Sequence, residues 1–214
     1  MTTLIFVRHG QSVSNLEQRF SGHHDAKLTE LGCRQAEKTA ELLRDAKIDK
    51  IYASDLSRAF DTAKYTARIH GLDVIPDRAF REVFAGDWEG HLYQEILDTY
   101  GDRYTQWITD IGGAHPNGGE SVLELYARVH GAVERILRED AGKYVAVFTH
   151  ATPVRMLACD WFGIAPREAA KVKFCSNASV SAVEYDSKGK PTLLCYGYDA
   201  HQGDLITTTP KGLV

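Results

Sequence analysis

Short apolar runs alternate with longer amphipathic stretches along most of this chain. The apolar runs predict six β-strands, at residues 3–8, 50–54, 73–76, 143–149, 179–185 and 191–197. The intervening stretches predict six helices, at about residues 12–19, 29–45, 57–69, 92–100, 119–139 and 152–162. The long helix has the clearest pattern, since one face of it carries Val122, Leu125, Val129, Val133 and Ile136 at helical spacing.

Alternation of short strands with helices is typical of a mainly parallel sheet that helices cover on both faces. We therefore predict an α/β fold, a three-layer α/β/α sandwich with a mainly parallel central sheet. Sheets of this kind bind ligands beyond the carboxyl ends of their strands. His9, Ser54 and His150 stand at or just past the ends of three predicted strands, so we expect them to converge on one edge.

Residues 82–118 interrupt this alternation with glycines and aromatic residues. The aromatic residues are Phe84, Trp88, Tyr93, Tyr100, Tyr104 and Trp107. We predict that the segment is a cap insertion over the strand C-terminal edge, within one domain that spans residues 1–214. The alternative is a surface excursion with a small core of its own. Residues 199–214 are polar and are predicted to be a loosely held tail.

Composition and charge exclude several classes of protein. Hydrophobic residues make up 43% and charged residues 25% of the 214 positions, as in ordinary globular proteins. A net charge of −4 gives no field that would favour nucleic acid or an acidic membrane. No apolar stretch approaches the ~20 residues that cross a bilayer, and the N-terminus lacks the pattern of a signal peptide. The four cysteines show no C-x-x-C spacing and are predicted to be reduced thiols of a cytoplasmic protein.

Several motifs follow one another in a fixed order along the chain. The first is Arg8-His9-Gly10, which directly follows an apolar run. The others lie at residues 28–32, 54–59, 81–82, 86–90, 118–121, 147–150 and 177–180. Together they resemble the motifs of the histidine phosphatase superfamily, the phosphoglycerate-mutase-like proteins, over about residues 3–185.

The resemblance implies a metal-independent reaction at two histidines and a carboxylate. A neutral His9 would attack phosphorus and form a phosphohistidine, and the adjacent Arg8 should disfavour its imidazolium form. His150 would act as an imidazolium that donates to the phosphoryl oxygens. Glu82 would protonate the leaving group and then take a proton from the attacking water.

Cationic and amide side chains are predicted to hold the phosphate. Arg8 and Arg58 carry planar forks that suit phosphate oxygens, and Asn15 can donate an amide N–H. The other residues predicted to contact the substrate are Ser21, Gly22, Glu82, His150 and Ala151. The family usually has glycine where this chain has Ala151, which fits if its φ is negative.

Metal and nucleotide chemistry are not predicted. His23-His24-Asp25 invites a metal site, but the chain has no H-x-H or H-E-x-x-H spacing and no cysteine cluster. We therefore predict no metal and no cofactor. The absence of a P-loop motif argues against a nucleotide-driven kinase. His23, His24, His91 and His115 either line the substrate entrance or are solvated loop residues.

Charge in residues 82–120 bears on the choice between a phosphatase and a mutase. Arg103 is the one lysine or arginine there, against the acidic residues Glu82, Asp87, Glu89, Glu95, Asp98, Asp102, Asp110 and Glu120. An acidic cap should repel the bisphosphate that a phosphoglycerate mutase retains. We predict a phosphatase of a small phosphomonoester, with a 2,3-bisphosphoglycerate-dependent phosphoglycerate mutase as the alternative. A third possibility is a non-catalytic module that binds a phosphorylated ligand.

The predicted partner is a small phosphorylated metabolite with an uncharged or sugar-like body. Sugar phosphates, phosphoglycerate derivatives and nucleoside-type monophosphates such as α-ribazole phosphate all fit that description. The sequence leaves the choice between a monomer and a homodimer open.

Overall fold

The computed structural model describes residues 1–207, which fold as alternating strands and helices around one sheet. The strands are β1 (Thr2–Arg8), β2 (Lys50–Ala53), β3 (Val74–Pro76), β4 (Tyr144–Thr149), β5 (Val180–Tyr185) and β6 (Pro191–Tyr198). The helices are α1 (Val13–Leu16), α2 (Glu30–Leu42), α3 (Ser57–His70), α4 (Tyr93–Thr109), α5 (Val122–Glu139) and α6 (Ala151–Phe162). Short 3₁₀ helices lie at Arg78–Phe80, Gly86–Trp88, Ile111–Gly113, Pro166–Lys171 and Ala200–Leu205. All six strand predictions are confirmed to within one residue at each end.

The six strands form one sheet in the order β3-β2-β4-β1-β5-β6. Strands β1 to β4 run parallel to one another, and β5 and β6 continue the sheet in the antiparallel sense. The prediction of a mainly parallel sheet is confirmed. Parallel neighbours end at the same edge, so β1, β2 and β4 bring their carboxyl ends together.

Alternate residues of the central strands face two separate hydrophobic layers. Leu4 and Phe6 of β1 belong to the cluster that includes residues of α5 and α6. Ile5 and Val7 belong to the opposite cluster, with Ala63 of α3. Because side chains of a strand alternate between its faces, the apolar run of β1 fills both layers at once. The structure therefore has the predicted three layers, with α5 and α6 on one face and α2 and α3 on the other.

The first helix is much shorter than the predicted 12–19. It ends at Leu16, because Gln18 adopts a φ of 59° and the N–H of Arg19 turns back to the carbonyl of Ser14. The fourth helix is longer than the predicted 92–100, since it continues to Thr109 through a kink at Gly101. Glycine permits the unusual φ of 26° at that kink.

Residues 199–207 are not the loose tail that the sequence predicts. Gln202 is only 2% exposed, and its Nε2 donates to the carbonyl of Gln35 at 3.1 Å and to Thr39 Oγ1 at 3.0 Å. The polar side chain that suggested solvent exposure thus anchors the segment to α2. Residues 208–214 lie outside the described part of the chain.

Residues 82–118 pack onto the core of the sheet. Trp88, Tyr104 and Trp107 are buried in the same hydrophobic cluster as Phe6 of β1. The rings of Trp88 and Tyr104 meet edge to face, with centroids 5.7 Å apart. These aromatic residues therefore share the main core, and the cap over the strand ends stays a prediction.

The cysteines and the helices can be compared with what disulfide bonds and membrane spans require. Cys33, Cys159, Cys175 and Cys195 are free thiols, two of them buried and two partly exposed. Within residues 1–207, no helix combines the length and apolar character that crossing a membrane requires.

Candidate active site

Two histidines meet where neighbouring strands end. Arg8 ends β1 beside Thr149, the last residue of β4, and His9 and His150 follow them directly. Their rings have centroids 5.1 Å apart in an edge-to-face arrangement. Ser54 follows β2, and its Oγ lies 2.8 Å from His150 Nε2. The expected convergence of these three residues at one sheet edge is confirmed.

A small cleft of about 70 Å³ opens at this edge. Most of the predicted site residues line it, namely Arg8, His9, Asn15, Ser21, Gly22, Arg58, Glu82 and Ala151. His150 is fully buried and reaches the site through its contact with His9. Four residues that the sequence does not predict at the site also line the cleft, namely Phe20, Trp107, Thr152 and Phe174.

Close backbone packing holds the loop that follows His9. A Cβ on Gly10 would lie 2.4 Å from the carbonyl oxygen of Gly32, and a Cβ on Gly32 would lie 2.1 Å from that of Gln11. Any larger residue would push α2 away from the loop. The N–H of Gly10 donates to Thr62 Oγ1 at 3.1 Å, which ties the same loop to α3.

His9 has the protonation state of a nucleophile. Its Nδ1 lies 2.6 Å from the carbonyl oxygen of Gly10, which can only accept, so Nδ1 carries the proton and Nε2 keeps its lone pair. Burial, followed by the charges of Arg58 and Arg8, holds the pKa of His9 well below its usual value. The ring is therefore neutral at neutral pH, as the adjacent arginine suggested.

Arg8 and Arg58 are buried cations without a carboxylate partner within residues 1–207. Arg8 Nη1 donates to the carbonyl of Cys175. Arg58 donates to the carbonyls of His24 at 3.0 Å and Gly22 at 2.8 Å. The Nε atoms of both arginines have no partner in the described structure. Burial lowers the pKa of both, that of Arg58 to about 10, so both remain charged at neutral pH.

Asn15 is oriented by hydrogen bonds to its oxygen. Its Oδ1 accepts from the N–H of Ser12 at 3.1 Å and from Asn177 Nδ2 at 3.1 Å. The amide nitrogen is left as the end of the side chain that is available to the cleft. Asn177 also donates to the carbonyl of His9 at 3.1 Å, so it braces both residues.

Glu82 is held at the start of α6. Its Oε1 accepts from the N–H of Val83 at 2.8 Å, and its Oε2 accepts from the N–H of Thr152 at 3.2 Å. These contacts orient the carboxyl group, because the first N–H groups of a helix have no partner within the helix and are free to donate to it. The carbonyl of Glu82 accepts from Arg128 at 3.2 Å and from His23 at 3.0 Å, which fixes the backbone as well.

His150 is held neutral in the ligand-free protein, whereas its predicted role as an imidazolium concerns the protein with a phosphoryl group bound and stays a prediction. Burial, followed by the charge of Arg58, holds its pKa well below the usual value. It is therefore neutral in the ligand-free protein, because a fully buried ring beside cations cannot readily gain a charge. Its Nδ1 has no partner within the described residues. Ala151 begins α6 and is not among the residues with positive φ, so the expectation for this position is met.

The four unpredicted lining residues differ in the signal that the sequence gives for them. Phe20, Trp107 and Phe174 are aromatic residues far apart in sequence, and single aromatics usually indicate core packing. Of the six aromatics in residues 82–118, Trp107 alone joins the described lining, and the others serve packing or lie outside the cleft. Thr152 could have been found, because it stands in the first turn of the helix that follows His150.

Potential metal ligands are scattered in this part of the chain. Within residues 1–207, no three histidine, cysteine, aspartate or glutamate side chains form a group that could hold a metal ion. His23 is instead engaged with the Glu82 carbonyl and packs against Phe84, with ring centroids 5.3 Å apart. The absence of a metal requirement stays a prediction.

Comparison with known proteins gives a consistent family. Residues 4–198 match the model of the histidine phosphatase superfamily (branch 1). The chain is 30% identical to phosphoserine phosphatase 1 of Hydrogenobacter thermophilus over 213 residues, which is the whole of both chains. It is 35% identical to phosphoglycerate mutase-like protein 4 of Arabidopsis thaliana over 92% of this chain and 86% of that one.

A solved structure matches the fold over nearly its whole length. The mycobacterial glucosyl-3-phosphoglycerate phosphatase in complex with VO₃ superimposes with a TM-score of 0.84 and 29% identity, covering 92% of this chain and 99% of that one. These matches support hydrolysis of small phosphomonoesters. The chain belongs to the histidine phosphatase superfamily, branch 1.

Proposed function

We propose that the protein is a metal-independent phosphatase that hydrolyses a small phosphomonoester through a phosphohistidine on His9. The observation that carries the proposal is the pair of buried arginines beside a neutral histidine. Arg8 and Arg58 are 6% and 0% exposed and have no carboxylate partner in the described structure. Glu82 is the main negative charge that acts on both guanidinium groups, so the two buried cations exceed it by one positive charge, which a phosphate dianion would offset.

The geometry supports a two-step reaction. In the first step Nε2 of His9 attacks phosphorus, the P–O bond to the substrate breaks, and Glu82 donates a proton to the departing oxygen. In the second step Glu82 takes a proton from water, the water oxygen attacks phosphorus, and the P–N bond breaks to release phosphate and the free His9. Arg8, Arg58 and Asn15 would stabilise the charge on the equatorial oxygens in both steps.

The lining of the cleft favours a phosphatase over a mutase. Among the lining side chains, Arg8 and Arg58 are the cations, and both lie at the predicted phosphate position. Arg81 and Arg128 stand close by, but Asp55 pairs with the first and Glu120 with the second. A second phosphate or a carboxylate would therefore find no unpaired cation in the described lining.

The acidity of residues 82–120 is a weaker argument than the sequence suggested. Glu89 accepts hydrogen bonds from the N–H groups of His23 and Ala85, and Glu95 accepts from the N–H of Leu92. Much of this charge therefore organises the backbone of the segment. The aromatic rings of Phe20, Trp107 and Phe174 are the stronger indication of a substrate with an uncharged body.

The test compares two reactions on the purified protein without added metal. We expect phosphate release from some members of a panel of small phosphomonoesters. We expect no interconversion of 3- and 2-phosphoglycerate in the presence of 2,3-bisphosphoglycerate. Rapid interconversion with little phosphate release would establish the mutase instead. Neither reaction, with phosphate still bound, would favour the non-catalytic module.

The nucleophile is tested by trapping the intermediate. Rapid acid-free quenching with a labelled substrate should leave acid-labile phosphate on the wild type and none on His9→Ala. The exposed His91→Ala is the matched control and should keep both label and turnover. Label that persists on His9→Ala would refute the assignment.

A further inference from the structure

We propose that Ser54 is a positioning residue, which holds His150 as a neutral ring with its proton on Nδ1. The Nδ1–H then serves as a donor to the phosphoryl group. The catalytic role of this Nδ1–H rests on the proposed function. The protonation state of His150 is a property of the ligand-free protein and does not depend on that function.

The hydrogen bonds of Ser54 fix the direction of its hydroxyl. Ser54 is fully buried, and its Oγ accepts from the N–H of Leu56 at 3.3 Å. His150 Nε2, at 2.8 Å, is the one acceptor within reach of its O–H in the described structure. The hydroxyl therefore donates to Nε2, and Nε2 must be the unprotonated nitrogen of a neutral ring.

The opposite arrangement would leave a buried hydrogen unsatisfied. If Nε2 carried the proton, Ser54 Oγ would accept two N–H groups and its own hydrogen would have no acceptor among the described residues. Buried polar groups are only rarely left without a partner. The neutral state of His150 follows independently from its burial beside Arg58.

The consequence appears at Nδ1 of His150, which has no partner within residues 1–207. With the proton there, Nδ1 is an unused donor on a ring whose centroid lies 5.1 Å from that of His9. With the proton on Nε2, Nδ1 would present a lone pair that repels a phosphoryl oxygen. Ser54 thus explains how a neutral His150 can assist the reaction without being an imidazolium.

Nuclear magnetic resonance of the ligand-free protein with ¹⁵N-labelled histidine tests this directly. Long-range ¹H–¹⁵N correlation at pH 7 should show His150 with a protonated Nδ1 and an unprotonated Nε2. A protonated Nε2, alone or together with Nδ1, would overturn the proposal. This arm needs no substrate, so its failure is distinct from a failure to hydrolyse phosphomonoesters, which would overturn only the proposed function.

Variants connect the protonation state to turnover. Ser54→Ala should reduce the Nδ1-protonated fraction and lower kcat by less than the about hundredfold to thousandfold that complete loss of one transition-state donor costs, because part of the population keeps the Nδ1 proton. KM should change little, and Ser54→Thr, which keeps a hydroxyl, should recover kcat. Unchanged proton placement and kcat in Ser54→Ala would overturn the role of Ser54.

The matched control is Ser181→Ala in β5. Ser181 is 2% exposed, and its Oγ accepts from the N–H of Gly197 at 2.9 Å. The Ser181→Ala variant therefore loses a buried hydrogen bond comparable to the one that Ser54→Ala loses. We expect Ser181→Ala to keep both kcat and the His150 spectrum. Equal losses of kcat in the two variants would make the effect structural and overturn the proposal.

Discussion

The two buried histidines make the stability of the protein sensitive to acid. His9 is 4% exposed and His150 is fully buried, and both have a pKa well below the usual value, chiefly because of burial. In the unfolded chain each would titrate near ~6.5. Below that pH the unfolded state therefore binds more protons than the folded state does. Their contribution to stability is complete above the unfolded pKa and is lost as the pH falls below it.

The size of the effect follows from linkage. For one group that stays neutral in the folded state, lowering the pH from 7.0 to 5.5 reduces the free energy of unfolding by about 1.25 kcal/mol. Two such histidines lose about 2.5 kcal/mol, which is a substantial part of the ~5–15 kcal/mol that stabilises a typical domain.

Urea denaturation at the two pH values measures this loss. The double variant His9→Asn/His150→Asn should lack about 2.5 kcal/mol of the acid destabilisation seen in the wild type. The exposed His115→Asn should retain all of it. The buffers must be free of phosphate, since a ligand of the folded state would mask the effect. An equal loss in the wild type and the double variant would refute the claim that these rings are held neutral.

Three further predictions concern the site. Glu82→Gln should reduce kcat/KM for alkyl phosphates far more than for activated aryl phosphates, because only a poor leaving group needs a proton, and equal losses would rule out Glu82 as the acid. In calorimetry, inorganic phosphate at one hundred times its Kd should stabilise the wild type by about 2.7 kcal/mol. It should stabilise Arg58→Met far less, whereas Arg78→Met, at a side chain that is 84% exposed, should respond like the wild type. Activity should survive dialysis against EDTA, and a loss that a divalent ion restores would contradict a metal-free reaction.

The sheet was predictable because its strands are fully buried apolar runs. All seven residues of β1 are buried, and such a run between helices has few other interpretations. Helix ends were less predictable, because they depend on contacts that the local pattern does not contain. The end of α1 is set by the turn at Gln18, and the extension of α4 depends on Gly101, which a local pattern marks as a break.

The site was predictable as far as single residues carry chemistry in a recognisable motif. Arg8, His9 and Glu82 were placed at the cleft on that basis. Phe174 was not, because its place in the lining comes from tertiary packing, in which Arg155 lies 4.3 Å from the centre of its ring. The neutral state of His150 could not be predicted from the sequence either, since it depends on complete burial near Arg58.

Burial of the arginines and histidines makes the ligand-free site energetically unfavourable, and it also suits the site to bind an anion. Two arginines, Glu82 and a neutral His9 line one small cleft, and the neutral His150 is buried beside it, so positive charge exceeds negative charge in the ligand-free state. Each feature that destabilises the fold toward acid also serves the chemistry: an unprotonated Nε2 on His9 can attack, and unpaired guanidinium groups can hold the developing charge. A bound phosphoryl dianion would offset the repulsion between Arg8 and Arg58. We therefore expect the ligand to reduce the acid sensitivity only in part, because it offsets the arginine charges but leaves in place the burial that is the main cause of the lowered histidine pKa values.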